Sequence, residues 1–159
     1  MKRLISLLFG VLIISLVAVP KDLNASDSYL TYDELKAYQE RQAELEWSRQ
    51  LTSYAQTLVG KRTGQCVLAI RQRFGVPASE VQGLAKNTRP NTKDAKVGSV
   101  IIFKNLSKYG HVGIVLSESD THVTYFDSNG DWSFKGAIRT IAKTDPRISG
   151  YKIINYKST

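Results

Sequence analysis

The hydrophobic positions divide the chain into three regions that differ in their periodicity. An uncharged apolar run extends from Leu4 to Val19, and apolar residues recur at helical intervals between Tyr32 and Val59. After Val97 the pattern changes to short β-prone runs that are separated by turn residues. This order predicts an N-terminal targeting segment, then helices, and then a sheet.

The N-terminal segment has the pattern of a signal peptide. Lys2 and Arg3 precede a run of uncharged residues, Leu4–Val19, that is shorter than the ~20 residues needed to span a bilayer. Pro20 ends the run, and Ala25 is a small residue at a plausible cleavage point. We therefore predict a signal peptide over residues 1–25, with an uncleaved N-terminal anchor as the alternative. Both place the folded part outside the cytoplasm, secreted or in the cell envelope, with membrane contact only through an uncleaved segment.

The next segment predicts a long charged helix. Thr31 and Glu34 fit a capping box, and neither proline nor glycine occurs from Tyr32 to Val59. The pattern favours one helix, or two with a break near residues 50–52. We interpret residues 26–50 as a tether and charged helix, whose polar face is either solvated or binds a partner.

The only cysteine, Cys66, follows a glycine-containing loop and opens a short apolar-periodic run that ends at Gly75. A thiol on the first turn of a helix lies where backbone N–H groups and the helix dipole favour the thiolate. The alternative is a small buried hydrophobic residue. A single cysteine also forbids an internal disulfide, so an exported chain would pair this thiol with another chain or use it chemically.

The remainder of the chain predicts an antiparallel sheet. Its β-prone runs are Val97–Phe103, His111–Leu116, Val123–Asp127 and Tyr151–Tyr156, and residues 128–131 form a strong turn signal before residues 132–134. Helices followed by adjacent strands indicate an α+β fold over residues 51–159.

The net charge of the chain indicates only a general class of binding partner. The 159 residues carry a formal charge of +8, with a sequence pI near 9.6, so general affinity for anionic polymers is expected. The basic residues form no run of five or more and accompany no nucleic-acid-binding motif. No specific nucleic-acid binding is predicted.

Strand parity selects the candidate base from the two histidines. His122 and Asp127 are five residues apart on one predicted strand, so their side chains point to opposite faces. His111 opens a neighbouring strand, where Asp127 can orient it. We therefore predict His111 as the base.

Asp127 and Asn129 share a face if the strand extends that far, and either could fix the imidazole of His111. The combination matches the Cys-His-Asn/Asp arrangement of thiol hydrolases. Alone, residues 127–130 also fit a simple hairpin turn, and His111 fits a structural histidine. A zinc site from Cys66, His111 and Asp127 lacks a short-spaced ligand pair, so we predict no metal and no cofactor.

These residues resemble the CHAP (cysteine, histidine-dependent amidohydrolase/peptidase) domain, a branch of the NlpC/P60-like, papain-related group. The resemblance covers roughly residues 51–156, and its motifs are Thr63–Val67, Val97–Phe103, Gly110–Val115 and Asp127–Asn129. It implies a papain-like α+β fold with the nucleophile on a helix packed against an antiparallel sheet.

The resemblance also implies roles for individual residues. It makes Cys66 the nucleophile and His111 the base, and it places Asp127 where the family carries an acidic residue, most often glutamate. Asn129 falls on the family's asparagine, so either Asp127 or Asn129 is the main orienter of His111. Gln65 matches the residue before the nucleophile and is given a supporting role near the oxyanion.

The function implied is exported, thiol-dependent hydrolysis of an amide bond in peptidoglycan, either by an N-acetylmuramoyl-L-alanine amidase or by a stem or cross-bridge endopeptidase. Weak retention on anionic wall polymers would follow from the charge. Two alternatives stay open. One is a non-catalytic envelope protein that binds wall fragments or a secretion-system partner through the Tyr32–Val59 helix. The other is a thiol amidase acting on an amide outside the wall. The pattern leaves the oligomeric state undetermined.

Overall fold

The computed structural model describes residues 30–81, 83–104 and 106–154. The segment interpreted as a signal peptide, residues 1–25, lies outside the described residues. None of the helices within these three ranges is long and apolar enough to cross a membrane.

The first helix, α1, runs without a break over Tyr32–Gln56. Its N-terminus carries the predicted capping box: the backbone amide of Glu34 donates to the Thr31 hydroxyl, and the Thr31 amide donates to the Glu34 carboxylate at 2.7 Å. Only the C-terminal part of α1 docks on the sheet, where Leu51 and Ala55 are buried and the Ser48 hydroxyl donates to the Leu116 carbonyl at 2.6 Å. The first half of α1 is exposed.

The second helix, α2, extends over Cys66–Phe74 and ends at Gly75, which adopts a left-handed backbone conformation with φ 69°. Glycine reaches this conformation without steric cost, so it terminates the helix where the sequence predicted. The inward face of α2 buries Val67, Ile70 and Phe74. A single turn of 3₁₀ helix, Ala85–Asn87, lies in the long connection to the sheet.

Five antiparallel strands form one sheet in the order β4-β3-β2-β1-β5. The strands are β1 Val100–Phe103, β2 His111–Glu118, β3 His122–Ser128, β4 Gly136–Ala142 and β5 Ile148–Lys152. Helices preceding an antiparallel sheet confirm the α+β prediction.

Three strand predictions differ from the structure. The pattern missed β4, an edge strand whose half-exposed side chains weaken the alternation of apolar and polar residues. It also placed the last strand too late, because β5 ends at Lys152 and residues 155–159 lie outside the described part of the chain. β1 begins three residues later than predicted, because Gly98, two residues before its first residue, adopts a positive φ of 80°.

The two faces of the sheet support separate apolar clusters. The face toward α2 carries Val112, Ile114 and Phe126, which pack with the helices. The opposite face carries Val115 and Tyr125 in a second cluster. Because side chains alternate along a strand, His111 and Asp127 belong to this second face.

Candidate active site

The nucleophile candidate, Cys66, is the first residue of α2 and is partly buried. Its side chain packs against the apolar cluster between α2 and the sheet. The backbone N–H groups of Val67 and Val112 lie close enough to its sulfur to lower the pKa of the thiol. The sulfur therefore lies between the first turn of α2 and the start of β2.

His111 is buried at the start of β2. Its ring packs on Phe103, the residue paired with it on β1, with ring centroids 5.7 Å apart. Nε2 of His111 lies 2.9 Å from Oδ2 of Asp127, which leaves Nδ1 for the hydrogen bond with Cys66. Helix and sheet thus contribute one reactive group each, and the two meet at the end of the sheet.

Asp127 is 2% exposed. Its partner on β2 is Gly113, two residues after His111, so Asp127 lies diagonally across the two strands from His111. On its other side, Nε of Arg139 on β4 donates to both carboxylate oxygens, at 3.2 Å and 3.3 Å. A buried carboxylate is costly without partners. Asp127 therefore has two: an imidazole and a guanidinium.

The electrostatics favour a thiolate–imidazolium pair. Burial raises the pKa of the Cys66 thiol, but the interaction with His111, its positive charge, and the backbone amides of Val112 and Val67 together outweigh burial, so the pKa lies below its ordinary value. Burial lowers the pKa of His111, but the hydrogen bonds to Asp127 and Cys66 and the charges of these two groups raise it to about 9. Below that pH the imidazole is protonated and stabilises the thiolate.

Hydrogen bonds from the sheet hold the loop that precedes Cys66. The Thr63 hydroxyl donates to the Ser128 hydroxyl at 2.7 Å, and Ser128 donates to the carbonyl of Gly64 at 2.5 Å. The carbonyl of Phe134, in the loop after β3, accepts from the amides of Thr63 and Gly64 at 2.9 Å and 3.2 Å. The loop before Cys66 is therefore held by the strand that carries Asp127 and by the loop that follows this strand.

The connection between β3 and β4 contains three non-glycine residues with positive φ, Asn129 at 64°, Trp132 at 63° and Phe134 at 59°. Such conformations cost energy and are found frequently at functional sites. Trp132 is 63% exposed, and the guanidinium of Arg62 lies over the Phe134 ring at 5.6 Å. An exposed aromatic side chain thus projects from the loop that contacts the segment before Cys66.

The other residues singled out from the sequence occupy different positions. β3 ends at Ser128, and Oδ1 of Asn129 accepts from the Phe134 amide at 3.2 Å instead of contacting the imidazole. Gln65 is exposed at the N-cap of α2 and makes no side-chain capping bond. His122 is exposed and bonds to the hydroxyl of Thr121 at 2.8 Å.

Sequence reasoning missed Arg139, Ser128 and Thr63. Arg139 lies on the strand that the pattern did not predict, so nothing placed it opposite β3. Thr63 and Ser128 lay within the Thr63–Val67 and Asp127–Asn129 motifs, and Ser128 also within the turn signal, but neither was given a role of its own. Within the described ranges, no group of three histidine, cysteine, aspartate or glutamate residues is arranged to hold a metal ion.

A comparison with known protein families shows to which family the chain is related. The CHAP domain model matches residues 45–129, which is more than half of the chain. The chain belongs to the CHAP domain family. The match includes Cys66, His111 and Asp127 and ends at Asn129, so β4 and Arg139 lie outside it.

CHAP domains are generally amidohydrolases or peptidases, and they are associated with peptidoglycan hydrolysis. Searches of curated proteins and of solved structures found no significant match. The family therefore supports a class of chemistry, and the residues of this chain must support the rest.

Proposed function

We propose that this CHAP protein is an exported, cysteine-dependent peptidoglycan hydrolase that cleaves an amide bond through a thioester. One observation carries the proposal: Cys66, at the N-terminus of α2, interacts with His111, and Nε2 of His111 lies 2.9 Å from the buried carboxylate of Asp127. This is the minimum set that nucleophilic catalysis by a thiol requires.

In the first step the Cys66 thiolate attacks the amide carbonyl carbon, and the carbonyl oxygen becomes an oxyanion. Unpaired backbone N–H groups at the first turn of a helix stabilise negative charge, so the start of α2 is the natural oxyanion site. The exposed side chain of Gln65 stands at the same end of the helix and is assigned a supporting role there.

In the second step His111 donates its proton to the amide nitrogen, the C–N bond breaks and the amine leaves, while the acyl group stays on sulfur. His111, now neutral, then removes a proton from water, and the hydroxide formed attacks the thioester. Collapse of the second intermediate restores the thiolate and releases the carboxylic acid. Asp127 keeps the ring oriented throughout.

The neighbouring loop supports a wall substrate. Trp132 offers an exposed aromatic face, which suits packing against the sugar or aliphatic surfaces of a wall fragment. The positive charge of the chain supports weak retention on anionic wall polymers. The apolar N-terminal run supports export, and mass spectrometry of the exported protein would test it by locating the new N-terminus near Ser26.

The deciding experiment is digestion of purified peptidoglycan, followed by mass spectrometry of the released fragments. An N-acetylmuramoyl-L-alanine amidase frees the N-terminus of the stem alanine, whereas an endopeptidase frees an amine inside the stem or cross-bridge. We expect wild-type protein to release such fragments and folded Cys66→Ala protein to release none. Release by Cys66→Ala would contradict the assignment.

The non-catalytic envelope protein gives a different pattern. Wild type and Cys66→Ala would then sediment equally with peptidoglycan, and neither would release fragments. Cys66 would also react with iodoacetamide with the pH dependence of a free thiol. The exposed first half of α1 is the feature that would serve such a binding role.

A further inference from the structure

The arginine on the edge strand completes the charge balance of the site. Arg139 is paired with Tyr125 across β3 and β4, and its side chain reaches diagonally to Asp127. The Arg139 side chain is 40% exposed, whereas the side chain of Asp127, which it contacts, is 2% exposed. It brings a permanent positive charge to a site whose other groups all titrate.

Arg139 determines the net charge of the site. With Arg139, the reactive state holds a thiolate, an imidazolium, a carboxylate and a guanidinium, and its net charge is zero. Without Arg139 the same state carries one net negative charge in a largely buried site. Protonation of the thiol then restores neutrality, so loss of the guanidinium disfavours the thiolate.

We propose that Arg139 is a positioning residue that acts through Asp127 to keep Cys66 ionised and His111 oriented. The inference rests on the thiol chemistry proposed for the site. It adds a fourth member, from a strand outside the segment that matches the family.

The packing around the pair supports a dedicated contact. A Cβ atom on Gly130 would come within 2.7 Å of Asp127 Oδ2 and 3.4 Å of Arg139 Nη2. The turn after β3 therefore lies directly against the carboxylate and the guanidinium. Only glycine leaves this close approach open, and any side chain would displace the carboxylate.

Other charged or titratable groups lie near the Asp127–Arg139 pair. They are Tyr125 on β3, Asp131 in the β3–β4 loop, and Asp145 and Arg147 in the turn after β4. Burial and the charge of Asp127 raise the pKa of Tyr125 to about 12, so this phenol stays neutral during the titration. Arg147 is paired with Asp145 at 2.8 Å and does not touch Asp127, which makes it a matched control.

The test is the rate of iodoacetamide alkylation of Cys66 between pH 4 and pH 10 in the full-length protein. In Arg139→Gln, we expect the thiol ionisation to move up by about 0.5–1 pH unit, which lowers the rate about threefold to tenfold on the acid side. The plateau at high pH should equal that of the wild type, since all molecules are then thiolates. A packing defect would lower the plateau instead.

Three further variants complete the test. Arg139→Lys keeps the charge and should keep the alkylation profile close to that of the wild type, whereas Arg147→Gln should leave the profile unchanged. Arg139→Met keeps the apolar length of the side chain, so it replaces Arg139→Gln if that variant fails to fold. An unshifted profile in a folded neutral variant, or an equal shift in Arg147→Gln, would overturn the inference.

Alkylation requires no wall substrate, so the two proposals fail separately. A shifted profile in a protein that releases no wall fragments would retain the role of Arg139 and reject the hydrolase. Wall hydrolysis with an unshifted alkylation profile would retain the hydrolase and reject the role of Arg139.

Discussion

Replacing Ser128 with alanine removes one hydroxyl group that makes two hydrogen bonds inside the protein. Ser128 accepts from Thr63 at 2.7 Å and donates to the Gly64 carbonyl at 2.5 Å. Thr63 is 5% exposed and Ser128 is fully buried, so the Thr63 hydroxyl cannot recover a water partner without local opening. Gly64 is only partly buried, and its carbonyl can recover one.

The expected cost follows from these two groups. A buried donor left unpaired costs about 1–3 kcal/mol, and loss of an ordinary hydrogen bond costs about 1 kcal/mol. We therefore expect Ser128→Ala to lower the free energy of unfolding by about 2–4 kcal/mol, a large share of the ~5–15 kcal/mol typical of a domain.

Urea denaturation provides the assay, and the same strand provides the control. The hydroxyls of Thr124 and Thr140 form an exposed hydrogen bond of 2.9 Å between β3 and β4, which water can replace. Thr124→Val should therefore change the free energy of unfolding by about 0.5 kcal/mol or less. An equal cost for Ser128→Ala and Thr124→Val would refute the reasoning.

A double mutant sharpens the test. Adding Thr63→Val to Ser128→Ala removes the orphaned hydroxyl itself, so the double variant should recover about 1 kcal/mol relative to Ser128→Ala. Strictly additive losses would mean that the two hydroxyls do not interact.

Three more predictions concern the reaction. Because the pKa of His111 is about 9, wall hydrolysis should fall about tenfold per pH unit above that value, as the proton for the leaving amine is lost. Iodoacetamide alkylation needs only the thiolate and should persist, so parallel loss of both rates would contradict this assignment. Trp132→Ala should raise the KM for a soluble muropeptide about threefold to tenfold without changing the alkylation of Cys66, and an unchanged KM would exclude substrate contact. In Gly130→Ala, a new Cβ would lie 2.7 Å from Asp127 Oδ2, so alkylation at pH 7 should slow while far-ultraviolet circular dichroism stays the same; an unchanged rate would show that the carboxylate tolerates displacement.

Local signals in the sequence were sufficient for the helices and for part of the sheet. The capping box at Thr31 and the left-handed glycine at the end of α2 are specified by a few adjacent residues, and both are present. β4 was missed because its alternation is diluted by half-exposed positions on an edge strand. Pairing with β3 stabilises that strand, and pairing partners are not written in the local pattern.

The residues of the candidate site were likewise predicted only in part. Strand parity separated His111 from His122, and the structure places only His111 beside Asp127. Parity also put Asn129 on the same face, on the condition that the strand continued. The strand ends at Ser128 and the chain turns at a positive φ, so the Asn129 side chain bonds within the loop.

By itself, the sequence determined that helices precede the sheet, that the thiol lies at a helix N-terminus and which histidine lies beside Asp127, since each depends on periodicity or on neighbours along the chain. Only the tertiary structure decided how the site is held. Arg139 is twelve residues from Asp127, and Ser128 is 64 residues from Gly64, yet both pairs are in contact. The physical reason is strand register: the ladder between β3 and β4 brings a guanidinium to a buried carboxylate, and the end of β3 brings a hydroxyl to the loop before Cys66.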